Sequence, residues 1–122
     1  MKETLTEILK GLCEEYDSVY CIAARTTGER MTTVGSPSSL RWTGLIRLLF
    51  GDASTIVDLN ERLQRRILPQ LFTQGEEKCV VIKPFDDLLV GFFHQGSKDQ
   101  LQLFNEGREI SQRIADALGG PS

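Results

Sequence analysis

The chain holds a single histidine, His94, in 122 residues. Acid–base and metal chemistry therefore have little to work with, because a catalytic base or a zinc site needs several such groups held together. Without a second histidine, zinc would have to be bound by Cys13, Cys21, Cys79 and carboxylates, and their spacing resembles no ligand set. The three cysteines are odd in number and have no C-x-x-C spacing. All three fall in apolar patterns, where a free thiol behaves as a small hydrophobe, so a reduced, cytoplasmic protein is expected. Neither G-x-x-x-x-G-K-[ST] nor G-x-G-x-x-G occurs, which removes the usual phosphate loops. No apolar run approaches the ~20 residues that span a bilayer. Met1-Lys2-Glu3 runs straight into an amphipathic pattern and lacks the apolar core of a signal peptide. No direct membrane insertion is expected.

Charge of one sign is also lacking. Fourteen basic and 17 acidic residues give a net −3, interspersed along the chain, so nothing draws it to nucleic acid or an anionic membrane. The densest basic run, Arg62 to Arg66, follows Asp58 and Glu61 and reads as the solvated end of a helix. Cys79 with His94 could be drawn as a nucleophile and base. However, Cys79 lies in the apolar run Cys79-Val80-Val81-Ile82, where burial blunts a thiol. His94 ends a strand and is expected at the rim. Asp86-Asp87 is a carboxylate pair on a tight turn, where Asp is simply a good turn residue. The expectation is a non-enzymatic protein with no catalytic residue, cofactor or metal.

What is present is a regular alternation of elements over one domain, residues 1–122, with its core at about 3–118. Leu5, Ile8, Leu9, Leu12, Cys13 and Tyr16 form one helical stripe, predicting a helix over about Glu3–Tyr16. Val19–Arg25 reads as a strand buried on both faces. Thr27-Gly28-Glu29 turns the chain into Arg30–Gly35, a polar, Thr-rich edge strand. Ser36-Pro37 starts a helix, with Ser as N-cap and Pro at the first helical position. After the middle helix, Ile67–Gln74 reads as a third strand, with Pro69 removing a ladder donor. Lys78–Lys83 and Leu88–His94 follow as the fourth and fifth strands, the fifth so apolar that it should be central. Ser97 to Gln100 has capping-box spacing ahead of a last helix carrying Leu103, Ile110, Ile114, Ala117 and Leu118, with Leu101 and Phe104 alongside. Gly119-Gly120-Pro121 ends it. The order α-β-β-α-β-β-β-α specifies an α+β domain, a five-stranded antiparallel sheet with helices on both faces.

The middle helix, about Pro37–Arg62, has the most unusual pattern. One stripe runs Trp42, Leu45, Ile46, Leu49, Ala53, Ile56, Val57, yet Leu48, Leu59 and Leu63 lie outside it, so its apolar surface exceeds what one core requires. Gly44, Leu48, Gly51 and Thr55 recur at i, i+4, i+7 and i+11 as a ridge of mostly small side chains. A mid-helix glycine costs ~1 kcal/mol relative to alanine, so the glycines need a reason. The apolar pattern keeps its phase across Gly51, favouring one continuous helix whose ridge points away from the sheet and admits a second backbone. Alternatively, Gly51-Asp52 is a C-cap followed by an N-cap, splitting the segment in two.

From about Leu5 to Leu118 this pattern resembles the Roadblock (dynein light chain) family. The opening amphipathic helix, the hairpin Val19–Gly35 with its Thr27-Gly28 turn, and the long middle helix carry the resemblance. The run Gln70-Leu71-Phe72-Thr73-Gln74-Gly75-Glu76 into the paired strands Cys79–Ile82 and Leu88–Phe93 completes it. The resemblance implies first and last helices on one face of the sheet and the long middle helix on the other. It further implies a homodimer joined through the middle helices and third strands, and a regulator or scaffold for a Ras-like small GTPase or a related signalling or motility partner. The surface so implied comprises Gly44, Arg47, Leu48, Gly51, Thr55, Gln70, Leu71 and Phe72. Arg41 and Arg47 look exposed on the middle helix, and simple solvation accounts for both. A competing reading is a sensory module of the PAS or GAF type that holds a small ligand between sheet and helix, which would need a cavity with convergent polar groups. The expected contacts Leu45, Leu49 and Ile56 over Ala23, Ala24, Val80 and Gly91 would fill that space instead.

Overall fold

The computed structural model describes residues 4–36, 44–64, 68–95 and 98–119. Pro37 as a helix start, Leu40, Arg41, Trp42, the Arg65-Arg66 end of the basic run, Ile67, Ser97 as a cap and Gly120-Pro121 lie outside them.

Helix α1 spans Leu5–Glu15 and begins in a capping box. The Thr4 side chain accepts from the Glu7 amide, and the Glu7 carboxylate accepts from the Thr4 amide, satisfying two otherwise orphaned donors. Its end reverses sharply: Asp17 takes φ 56° and the Ser18 amide donates to the Cys13 carbonyl at 3.0 Å, a Schellman-type closure. The Ser18 hydroxyl, 3.0 Å from the carbonyls of both Tyr20 and Phe93, ties this turn to the sheet. Strand β1, Tyr20–Arg25, follows and turns through Gly28, at φ 109°, into β2, Arg30–Gly35.

Strands β3 (Gln70–Gln74), β4 (Glu77–Phe85) and β5 (Leu88–Gln95) complete an antiparallel sheet of order β2-β1-β5-β4-β3. As expected, β5 is central and β2 is an edge, whereas β3 begins only after Pro69 rather than at Ile67. Strand β4 extends past Lys83, and its register with β5 shifts between Ile82 and Phe85, the interval containing Pro84. Helix α4, Gln100–Gly119, is capped by Asp99, whose carboxylate accepts from the Gln102 amide at 2.8 Å.

Because successive strand side chains point to opposite faces, the sheet separates two cores. On one side α1 and α4 bury Leu9, Leu12, Leu103, Ile110 and Ile114 against Cys21, Ala23, Val80, Ile82, Val90 and Phe92. On the other, the middle segment buries Leu45, Leu49, Phe50, Ile56 and Leu59 against Ile22, Ala24, Cys79, Val81, Leu89 and Phe93. Mid-helix Gly107 is required by the first core, where a Cβ would lie 2.7 Å from Val80 and 2.9 Å from Pro69.

The middle segment is not one helix. It comprises α2, described over Gly44–Phe50, and α3, Ala53–Leu63. Asp52 is the α3 N-cap, its Oδ1 accepting from the Thr55 amide at 2.8 Å and the Thr55 hydroxyl at 3.0 Å. At Gly51 a Cβ would fall 2.4 Å from the Arg47 carbonyl oxygen. The bare Cα fits the break between α2 and α3, and does so without a positive φ. The hairpin clamps the joint from outside. Arg30 Nη2 donates to the Phe50 carbonyl at 2.6 Å, and Gly28 lies so close to Ala53 that a Cβ there would approach it to 2.8 Å.

Candidate functional site

Helix α2 turns Leu45, Ile46, Leu49 and Phe50 inward, which leaves Arg47 and Leu48 facing out. Leu48 is 58% exposed. Helix α3 does the same with Ile56, Leu59 and Leu63, leaving Asp58 and Arg62 exposed and Thr55 half-buried. Between the two outer faces lies a hollow of about 240 Å³ lined by Arg47, Leu48, Leu49, Thr55, Asp58, Leu59 and Arg62. Arg62 also borders a second hollow of about 330 Å³ with Leu63, Gln70 and Phe72, beside the outer edge of β3. The two hollows thus share Arg62 in their linings. The first is bounded by two cations, Arg47 and Arg62, and one carboxylate, Asp58.

Of the residues expected at an interface, Arg47, Leu48 and Thr55 come together in the first hollow, and Gln70 and Phe72 in the second. Leu71 alternates to the opposite face and packs against the α1/α4 core. Gly44 is half-buried, and a Cβ on it would meet the tip of the exposed Gln74 side chain at the end of β3. Gly51 belongs to the helix break. Asp58 and Arg62 were not singled out from the sequence as interface residues, although Thr55, Asp58 and Arg62 at i, i+3 and i+7 share one helical face.

His94 departs from its expected place at the rim: it is 3% exposed. Lys98 Nζ bridges the Tyr16 carbonyl at 2.5 Å and Glu106 Oε1 at 2.9 Å, and Lys78 Nζ reaches the Lys98 carbonyl, closing the end of β5. Burial, then the nearby Lys98 charge, lowers the His94 pKa to about 4, against weaker opposing effects of Asp17 and Glu106. Its Nδ1 has no hydrogen-bond partner. Cys79 is fully buried, and burial pushes its thiol well above the ordinary value. It faces the α2/α3 core whereas His94 faces Asp17, Lys98 and Glu106, so the sheet stands between them. A ligand between sheet and helix meets the Phe50 ring, which fills the space above Gly91 so closely that a Cβ there would sit 2.6 Å from it. Among the described residues no three His, Cys, Asp or Glu side chains gather as a metal site, and no helix is long and apolar enough to cross a membrane.

No protein-family model matches the sequence, and no curated protein resembles it in sequence. Solved structures do resemble it in fold. MglB of Myxococcus xanthus superposes with a TM-score of 0.65 at 9% identity, covering 95% of each chain. An MglB described with a tetrameric arrangement gives 0.61 at 12% identity, over 94% of this chain and 88% of that one. A Roadblock/LC7 domain from Streptomyces avermitilis gives 0.63 at 13% identity, over 96% and 99%. Near-complete coverage at such low identity makes the likeness one of fold, and the chain has a Roadblock-domain fold resembling MglB.

Proposed function

We propose that this chain is a non-enzymatic scaffold or regulator that pairs with a second copy through α2, α3 and β3, and presents the paired surface to a Ras-like small GTPase. The observation carrying this reading is exposed Leu48 beside its hollow, with Arg62 lining both that hollow and the one against Phe72 on β3, the last strand in the order of the described sheet. An open strand edge flanked by apolar surface favours pairing with another chain. The solved MglB with a tetrameric arrangement adds an example of self-association on this fold. The mixed charges of Arg47, Asp58 and Arg62 suit a contact that must also reject wrong partners.

Sedimentation at micromolar concentration tests the pairing: a dimer is expected, and Leu48→Asp should convert it to monomer without changing the far-UV circular dichroism. A monomer for the unaltered chain overturns it. Titration with a Ras-like small GTPase, loaded in turn with GDP and a non-hydrolysable GTP analogue, tests the partner. No binding of either form by the dimer removes the GTPase reading and leaves self-association standing.

A further inference from the structure

Helix α4 lies tightly on the sheet at one point and leaves a cleft at the next. At Gly107 the absent side chain lets it close on Val80 and Pro69. The same line of the helix continues through Ser111 and Ala115, at i+4 and i+8, and both are small. Beneath them the sheet loses its regularity. The β3–β4 ladder stops at the Gln70–Val81 pair, Pro69 having no amide to extend it, and the β4–β5 register shifts between Ile82 and Phe85. Small side chains over an interrupted ladder leave a cavity of about 250 Å³. Leu68, Pro69, Ile82 and Pro84 supply its apolar lining, and Lys83, Arg108 and Gln112 its polar one.

The charge of this cleft is one-sided. The chain carries more acidic than basic residues, yet among the described residues two cations and no carboxylate line it. Elsewhere Arg25 meets Glu29 and Asp87, Lys98 meets Glu106, and Arg113 meets Glu15. Among the described residues neither Lys83 nor Arg108 has an ion-pair partner.

We propose that the cleft docks an acidic peptide segment of a partner protein, seating one apolar side chain against Ile82 and Pro84 with flanking carboxylates on Lys83 and Arg108. Size favours a peptide, because pockets that enclose a whole small molecule hold roughly 300–1,000 Å³. This one has room for a single side chain of a longer segment. Charge fixes the flanks, since two cations without an internal carboxylate are complemented by an anion from outside, which they also steer inward. Gln112 Nε2 donates to Asp116 Oδ1 at 2.8 Å, which leaves its side-chain oxygen to accept a peptide N–H. Ile82 belongs to the α1/α4 core, whereas the hollow beside Leu48 lies over the α2/α3 core, so this docking is independent of the pairing proposed above.

The probe is the acetylated, amidated peptide Asp-Glu-Leu-Glu-Asp, titrated into the isotope-labelled full chain and followed by amide chemical shifts. Saturable shifts are expected at Leu68, Lys83, Arg108, Ser111, Gln112 and their neighbours. The uncharged Asn-Gln-Leu-Gln-Asn, and Asp-Glu-Gly-Glu-Asp without the apolar side chain, should each bind about tenfold more weakly or worse. Lys83→Gln and Arg108→Gln should each weaken binding by up to about fivefold and the double variant by more, with the circular dichroism unchanged. Ser111→Leu, which fills the cleft, should abolish the shifts; where that variant unfolds, Lys83→Glu combined with Arg108→Glu should abolish them instead. The proposal is overturned if no shift saturates, if the shifts fall outside the cleft, if either control peptide binds as well as the first, or if the double glutamine variant binds unchanged. Shifts of the same amides on raising the protein concentration alone would assign the cleft to a second copy of the chain. A response to anionic lipid vesicles but not to the peptide would assign it to a membrane surface, and either result overturns the peptide.

Discussion

His94 shows how a side chain can be misplaced by its position in the sequence alone. A strand-end residue is normally at the rim, but the Tyr16–Ser18 turn and the Lys98–Glu106 pair close over this one. Lys98 is only four residues on, but the groups that hold it there, the Tyr16 carbonyl and Glu106, come from segments more distant in sequence. The consequence is a pH dependence. The folded state keeps the imidazole neutral down to about pH 4, whereas an unfolded one binds a proton from about pH 6.5 downward. The unfolded state then holds more protons, so stability is complete above that unfolded value and falls as the pH drops toward the folded one. Denaturation at pH 7 and pH 5 should differ by about 2 kcal/mol from this group alone, and His94→Leu should abolish that share of the difference. An identical pH dependence in the variant would show that other groups carry it. Gly91 gives a prediction of a different kind. A Cβ there would meet the Phe50 ring at 2.6 Å and Cys79 Sγ at 3.2 Å, both in a filled core. Gly91→Ala should cost ~1–3 kcal/mol through overpacking, read from the urea midpoint.

At the scale of elements, the strands were legible because their signals are local. Alternation, the Thr27-Gly28 turn and the apolar run of β5 fix β1, β2 and β5 to within a residue or so. The middle helix was harder, because two signals conflicted. Apolar phase persists from Leu45 through Ile56, as it would in an unbroken helix, while Asp52 and Thr55 have the spacing of an N-cap and the residue whose amide donates to it. The cap prevails, aided by an external contact that no local pattern contains: Arg30 on the last carbonyl of α2. Cations favour helix C-termini, and a hydrogen bond from a charged donor is stronger than a neutral one. Arg30→Met should therefore lower stability by about 1 kcal/mol, measured by thermal or chemical unfolding. An unchanged midpoint would mean the hairpin merely lies beside the joint. The ridge expected from the spacing is only partly continuous in the structure for the same reason. Leu48 and Thr55 do meet in one hollow, but Gly44 answers to Gln74 and Gly51 to the Arg47 carbonyl.

The whole molecule exposes 7116 Å², and a standard stable pairing hides ~800 Å² of each partner, about a ninth of that surface. Such an area is within reach of the outer faces of α2 and α3 together with one strand edge. Behind that surface the sheet separates the two cores, with β1, β5 and much of β4 covered on both sides. Ile110→Ala and Leu49→Ala should each cost ~2–5 kcal/mol. Their combined cost should equal the sum to within ~0.5 kcal/mol, since side chains more than ~10 Å apart with no shared neighbours act independently. A larger discrepancy would show that the strands transmit strain between layers. The same partition bears on how such a domain can drift. When side chains on one side change size, compensation is needed only among their own neighbours, and the opposite side sets no condition on it. Each layer can thus wander through sequence space on its own, provided the strands between them keep their alternation. Two chains can in this way have one architecture at an identity as low as the 9% between this chain and the Myxococcus xanthus protein.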